Sequence, residues 1–282
     1  MSGGPGTGAV DNNAPSMVTS GSSARGSLHP ALAVLAVIAG KAAMDVGQVQ
    51  TIAQGLRVAL VAGEVLLVLP ALVLLVLARV PIAESLGTRP VGARTAGLAA
   101  LAGAALWAAS LGLMNVQFVL WRPPEQFLEL FRILHQTLRP STFTEAALSL
   151  IAIALMPALC EETLFRGVVL PSCLRGGRAV ALVASAALFA LIHIDAVGHS
   201  AVFYRLPFAF VVGLGLGALR LLTGSLLPSV LAHAVLNTIT FATVFLTGAA
   251  SQAMDEPQAL SGALLLLGGA AASAWALRAL RR

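Results

Sequence analysis

The chain has 282 residues, of which 58% are apolar and only 10% charged, and its mean hydropathy is +0.90. Water-soluble domains carry roughly 25% charge, so a soluble globular protein is excluded: too few charges exist to cover a solvated surface. Net charge is +5, but aromatics total 5% and no Lys/Arg cluster is interleaved with them. The excess therefore fits the orientation of helices in a membrane rather than nucleic-acid binding.

Residues 1–27 are rich in Gly, Ser, Pro and Asn, cannot bury apolar surface, and are expected to be disordered. They lack the basic start and short apolar core of a signal peptide. Residues 28–282 are then one transmembrane domain. Apolar stretches near the twenty residues that cross a bilayer follow at about 30–47, 58–77, 95–115, 144–173, 178–195, 202–222, 225–246 and 259–277. The runs are continuous rather than alternating, which favours helices over a barrel. The expected fold is an all-α polytopic bundle of about eight transmembrane helices.

Within these spans, Lys41 and Asp45 are four residues apart and can pair on one helix face. Glu64 in the second span has no evident role. Between the third and fourth spans, at about 123–140, Pro123 and Pro124 open a polar connection. Its Phe127, Leu130, Phe131 and Leu134 recur at helical spacing, as in an amphipathic helix lying in the interface. An even number of spans puts both termini on one side, and the Arg-rich end RALRR places that side in the cytoplasm of an inner membrane. Cys160 and Cys173 read as small buried hydrophobes rather than a disulfide.

The fourth span contains CEETLFRG. Residues four apart share a helix face whereas adjacent ones diverge by about 100°, so Glu162 and Arg166 can pair while Glu161 points elsewhere. Ionisable groups at membrane depth are rare unless they pair or do chemistry, and desolvation makes a carboxylate a stronger base. Glu161 is thus the candidate general base, against the alternative of an inert buried ion network. Phe189 and His193 stand four apart at the end of the fifth span, and His233 and Asn237 four apart within the seventh. At about 1.5 Å per residue, Glu161 lies about 20 Å before Arg175, His193 about 22 Å beyond Arg178, and His233 and Asn237 about 12 and 18 Å beyond Ser225. The four can meet at one depth if the fourth helix continues through Pro157 to about Cys173.

EETLFR, FALIH and HAVLN resemble, in this order, the EExxxR, FxxxH and HxxxN motifs of the CPBP family, the CAAX prenyl protease 2 and bacteriocin-processing (Abi) intramembrane proteases. The likeness covers about residues 145–241. It implies a helical bundle with an intramembrane catalytic cavity open to the cytosol and the side, and a glutamic endopeptidase that cuts a membrane-associated peptide, in some members a C-terminal tail. It further implies that Glu161 activates water with help from His193, that His233 and Asn237 donate to the oxyanion, and that Glu162, Arg166 and Phe189 support the site. No cofactor is expected. Zinc held by Glu161, His193 and His233 is the minority alternative; no HExxH is present. A proton-relaying transporter and a non-catalytic immunity or scaffold protein are the readings from other classes.

Overall fold

The computed structural model describes residues 26–197, 200–247 and 256–281; nearly all of the tail expected to be disordered lies outside them. The first helices are α1 (Pro30–Thr51), α2 (Leu56–Leu77), the short α3 (Ile82–Leu86) and α4 (Ala93–Leu120). Next come α5 (Glu125–Leu138) and α6 (Phe143–Gly176). Then follow α7 (Arg178–Leu191), a hairpin of β1 (Asp195–Val197) and β2 (Ser200–Val202), α8 (Leu206–Thr223), α9 (Leu227–Phe245) and α10 (Ala259–Ala279). Seven of the described helices are long and apolar enough to cross a membrane; α7, with 14 residues, is shorter. The chain is therefore an all-α polytopic membrane protein in architecture, with eight apolar helices at the expected places. Several boundaries differ from expectation by four or five residues: the first and third helices run on to Thr51 and Leu120 rather than about 47 and 115. The fifth span stops at Leu191 rather than Asp195, and the sixth starts at Leu206 rather than Val202, because the chain between them pairs Asp195 with Val202 and Val197 with Ser200.

Local chemistry explains the starts and stops. Proline occupies the first turn of α1, α8 and α9, where its missing N–H costs nothing. α6 opens on a capping pair: the Thr142 hydroxyl accepts from Glu145 N (3.2 Å), and the Glu145 carboxylate accepts from Ser141 N and Oγ (2.8 and 2.7 Å). Gly224 ends α8 in the left-handed conformation, φ 66°.

α4 is the central helix, packed by α8, α9 and α10. Gly103 brings α4 and α9 together: a Cβ there would overlap the Ala232 carbonyl oxygen. α1 packs on α2, α7 on α8, and α6 against both α2 and α9. Lys41 pairs with Asp45, its Nζ 2.6 and 2.5 Å from the two carboxylate oxygens. α5 is amphipathic as expected, burying Phe127, Leu128 and Leu138, but Leu130 faces outward and is 42% exposed. The stripe that lines the interior runs instead through Phe127, Phe131, Leu134 and Leu138, which advance by four, three and four residues.

Candidate active site

α6 is one helix through Pro157, and its irregularities matter. Residues Ile151–Leu155 and Thr163–Val169 form π-turns, in which each backbone bond spans one residue more than in an α-helix. The first absorbs the missing N–H of Pro157. The second loosens the helix just after the glutamates, and side chains from three other elements bond its carbonyls. Ser185 Oγ donates to Phe165 O (3.0 Å), Arg220 Nε to Arg166 O (3.3 Å) and Ser85 Oγ to Gly167 O (2.9 Å). The segment bearing Glu161, Glu162 and Arg166 is thereby tied to α7, α8 and α3.

Glu162 and Arg166 pair as their spacing requires, Nη1 to Oε1 at 2.9 Å with both side chains fully buried. Arg166 also donates through Nη2 to Gly213 O of α8 (2.9 Å), and its guanidinium lies 4.6 Å from the centre of the Phe189 ring. Phe189 stacks edge-on against Phe165 and His233, with centroids 5.3 and 5.9 Å apart. The pairing is not bidentate, since Glu162 Oε2 and Arg166 Nε find no hydrogen-bond partner.

The histidines are fixed by their Nδ1 atoms. His193 Nδ1 lies 2.8 Å from Phe189 O; a carbonyl only accepts, so Nδ1 carries the proton and Nε2 is the free ring atom. His233 Nδ1 lies 3.0 Å from Glu162 Oε1, and its Nε2 is 3.8 Å from Glu161 Oε2. Glu162 therefore holds Arg166 and His233 together, and His233 bridges the two glutamates. Sequence spacing reveals the first contact but not the second, which joins residues 71 apart.

Glu161, His193, His233 and Asn237 all line one cavity of about 370 Å³. Glu162 and Arg166 stand behind its wall. α5 closes one side through Phe127, Phe131 and His135, whose ring burial holds below the usual histidine pKa. Tyr204 anchors the adjoining corner: its carbonyl accepts from Gln117 Nε2 (3.0 Å) and its hydroxyl donates to Arg122 O (3.2 Å). Residues missed as wall-formers include Trp107, His135, Tyr204 and Arg205, single side chains in no spaced pattern. A second hollow at the other end of the bundle, lined by Arg94, Trp275 and Arg278, contains none of the site groups. Among the described residues no three His, Cys, Asp or Glu side chains are grouped to hold a metal ion.

Residues 143–239 match the family model described as type II CAAX prenyl endopeptidase Rce1-like. The matched segment, about a third of the chain, runs from the start of α6 into α9 and contains the seven residues of the three motifs named as catalytic or supporting. The match bears out the resemblance read from the three motifs and supports a CAAX-protease-type peptidase in the membrane. No curated protein and no solved structure gave a match.

Proposed function

We propose that the chain is an intramembrane endopeptidase in which Glu161 activates water. The observation that carries this reading is the shared cavity: one chamber into which α6, the turn after α7 and α9 deliver Glu161, His193, His233 and Asn237. Among the described residues Glu161 has no arginine partner, whereas Glu162 is committed to Arg166 and His233. Glu161 takes a proton from water as the hydroxide adds to the scissile carbonyl carbon. The same proton then passes to the departing amide nitrogen as the C–N bond breaks. His193, with its free Nε2, is placed to orient that water. Asn237 and His233 stabilise the oxyanion, a term commonly worth about 3–4 kcal/mol per donor. For His233 Nε2 to donate while Nδ1–H is bonded to Glu162, the ring must carry both protons, a charge offset by the carboxylates on either side.

The substrate on this reading is a membrane-associated peptide, with a C-terminal tail as one form, and the site works without a cofactor in the inner membrane. The test uses purified protein in liposomes with a cleavable apolar peptide. A general base contributes about 10²–10⁴ in rate, so Glu161→Gln is expected to lose most turnover and keep its fold, and a strong chelator to change nothing. Loss of turnover on chelation with recovery on adding zinc would replace the glutamate mechanism by the metal one, and full activity in Glu161→Gln would sink both.

A further inference from the structure

Glu64 is a carboxylate that the reaction above does not use. It projects from α2, is only 8% exposed, and lines the same cavity as Glu161. Its Oε2 is buried without a hydrogen-bond partner, although burying an unpaired carboxylate at membrane depth is costly.

The neighbouring cations are otherwise engaged. On α1, Lys41 is bonded to Asp45; on α2 itself, Arg57 donates to Ser149 Oγ (2.7 Å) and Leu138 O (3.3 Å). Arg166 of α6 is held by Glu162 and Gly213 O. Of the remaining titratable groups in the cavity, none is hydrogen-bonded or ion-paired to Glu64: His135 of α5, Glu161 of α6, His193 after α7, Arg205 before α8 and His233 of α9. Among the described residues, Glu64 is thus an acidic wall group that shares the cavity with the candidate base and has no ion-pair partner.

We propose that Glu64 receives a cationic group of the bound peptide, an alkylammonium or guanidinium next to the bond to be cut. This inference rests on the cavity being the peptide site. Such a group brings the missing charge, and its methylene stem packs along the apolar wall made by Leu60, Trp107 and Met114. A single carboxylate suits an ammonium better than calcium or magnesium, which take six or more oxygens. The cation has two sources, a lysine or arginine side chain of the substrate and the amine freed by cleavage, and the chemistry at Glu64 is the same for both.

The test is binding, measured apart from turnover. Fluorescent apolar peptides, acetylated and amidated at their ends, carry one lysine or norleucine at successive positions and are titrated onto the full-length protein in nanodiscs of zwitterionic lipid. Hydrogen bonds to charged groups are worth about 1.5–3 kcal/mol, so lysine at the favoured position should bind about 10- to 100-fold tighter than norleucine. That ratio should fall to about one in both Glu64→Gln and Glu64→Leu. The second variant leaves no polar group to bury and guards against a folding artefact in the first. A lysine-free peptide with an unblocked amino terminus that acquires the same Glu64-dependent advantage assigns the cation to the freed amine. A wild-type ratio near one, whether both peptides bind or neither does, overturns the proposal, as does a ratio that survives both substitutions. Cleavage of the same peptides is followed in parallel: a Glu64-dependent lysine preference without any cleavage would sink the endopeptidase reading and leave the cation site standing.

Discussion

Glu162 meets both Arg166 and His233 through one oxygen, Oε1, at 2.9 and 3.0 Å. Removing either member of the buried pair strands the other charge, at a cost of about 3–5 kcal/mol. Glu162→Ala and Arg166→Ala should therefore lower the thermal midpoint of detergent-extracted protein well below that of Glu161→Gln. If both keep wild-type stability yet lose turnover, the two glutamates have been given each other's roles. Glu162 to Arg166 could be read from a four-residue spacing, as could Lys41 to Asp45, because both partners sit on one helix whose geometry is fixed. His233 to Glu162 could not, because a contact across 71 residues depends on how α6 and α9 pack. For Glu64 the sequence reveals only an acidic residue in an apolar span, and the cavity it faces requires the tertiary structure.

At the level of elements, the position of His233 depends on how closely α9 lies on α4, and that approach is set by Gly103 against Ala232. Gly103→Ala should push the helices apart, with overpacking of this kind costing about 1–3 kcal/mol, and should displace His233 enough to reduce turnover. Gly97 on the same helix has nothing within 4 Å of its Cβ position, so Gly97→Ala should leave turnover unchanged and raise stability by about 0.5–1 kcal/mol. Thermal unfolding and peptide cleavage of the two variants check both statements; equal behaviour would remove the close approach as the reason. A second expectation concerns the π-turn after the glutamates. Ser185→Ala removes the side-chain donor to the Phe165 carbonyl, which keeps its backbone bond from Leu170 N, and should cost about 0.5–1.5 kcal/mol, read by the same unfolding assay. Hydropathy located each long helix to within a few residues, but not the two π-turns, the hairpin or the outward turn of Leu130. Those arise from competition for backbone hydrogen bonds and cavity walls, which span length and composition do not encode.

For the whole molecule, chain connectivity puts the cavity at one end. α5, Tyr204 and Arg205 just after the hairpin, and the ends of α7 and α9 border it, whereas the starts of α1 and α4 and the end of α10 lie at the other, where Arg94 Nη2 donates to Ala279 O (2.8 Å). The Arg-rich terminus is expected in the cytoplasm, which turns the α5 end outward; a cavity open to the cytosol, implied by the family resemblance, needs the reverse. Both expectations cannot hold. Arginines at positions 79, 89, 94, 175, 178 and 220 all fall on the side of the termini, so reporter fusions at Arg282 should read cytoplasmic and fusions at Glu256 external. The opposite result would turn the cavity to the cytosol, and fusions reading the same side at both points would end the eight-helix topology.

The brevity of α7 has a consequence for the surrounding lipid. Its 14 residues extend only about 21 Å at 1.5 Å per residue, against a hydrocarbon layer of about 30 Å. Val180, Val183 and Leu191 are exposed along it, so lipid tails meet this helix directly and must shorten or tilt to match it. The bilayer is expected to thin beside α7, bringing headgroups with their hydration water toward the end that carries His193. The hydrolysis proposed for the cavity needs one reactant that oil excludes, and such a notch would be a route for that water. Cleavage in vesicles should therefore fall as the acyl chains are lengthened, since a thicker membrane closes the notch; a rate indifferent to chain length would mean that water reaches Glu161 by another route.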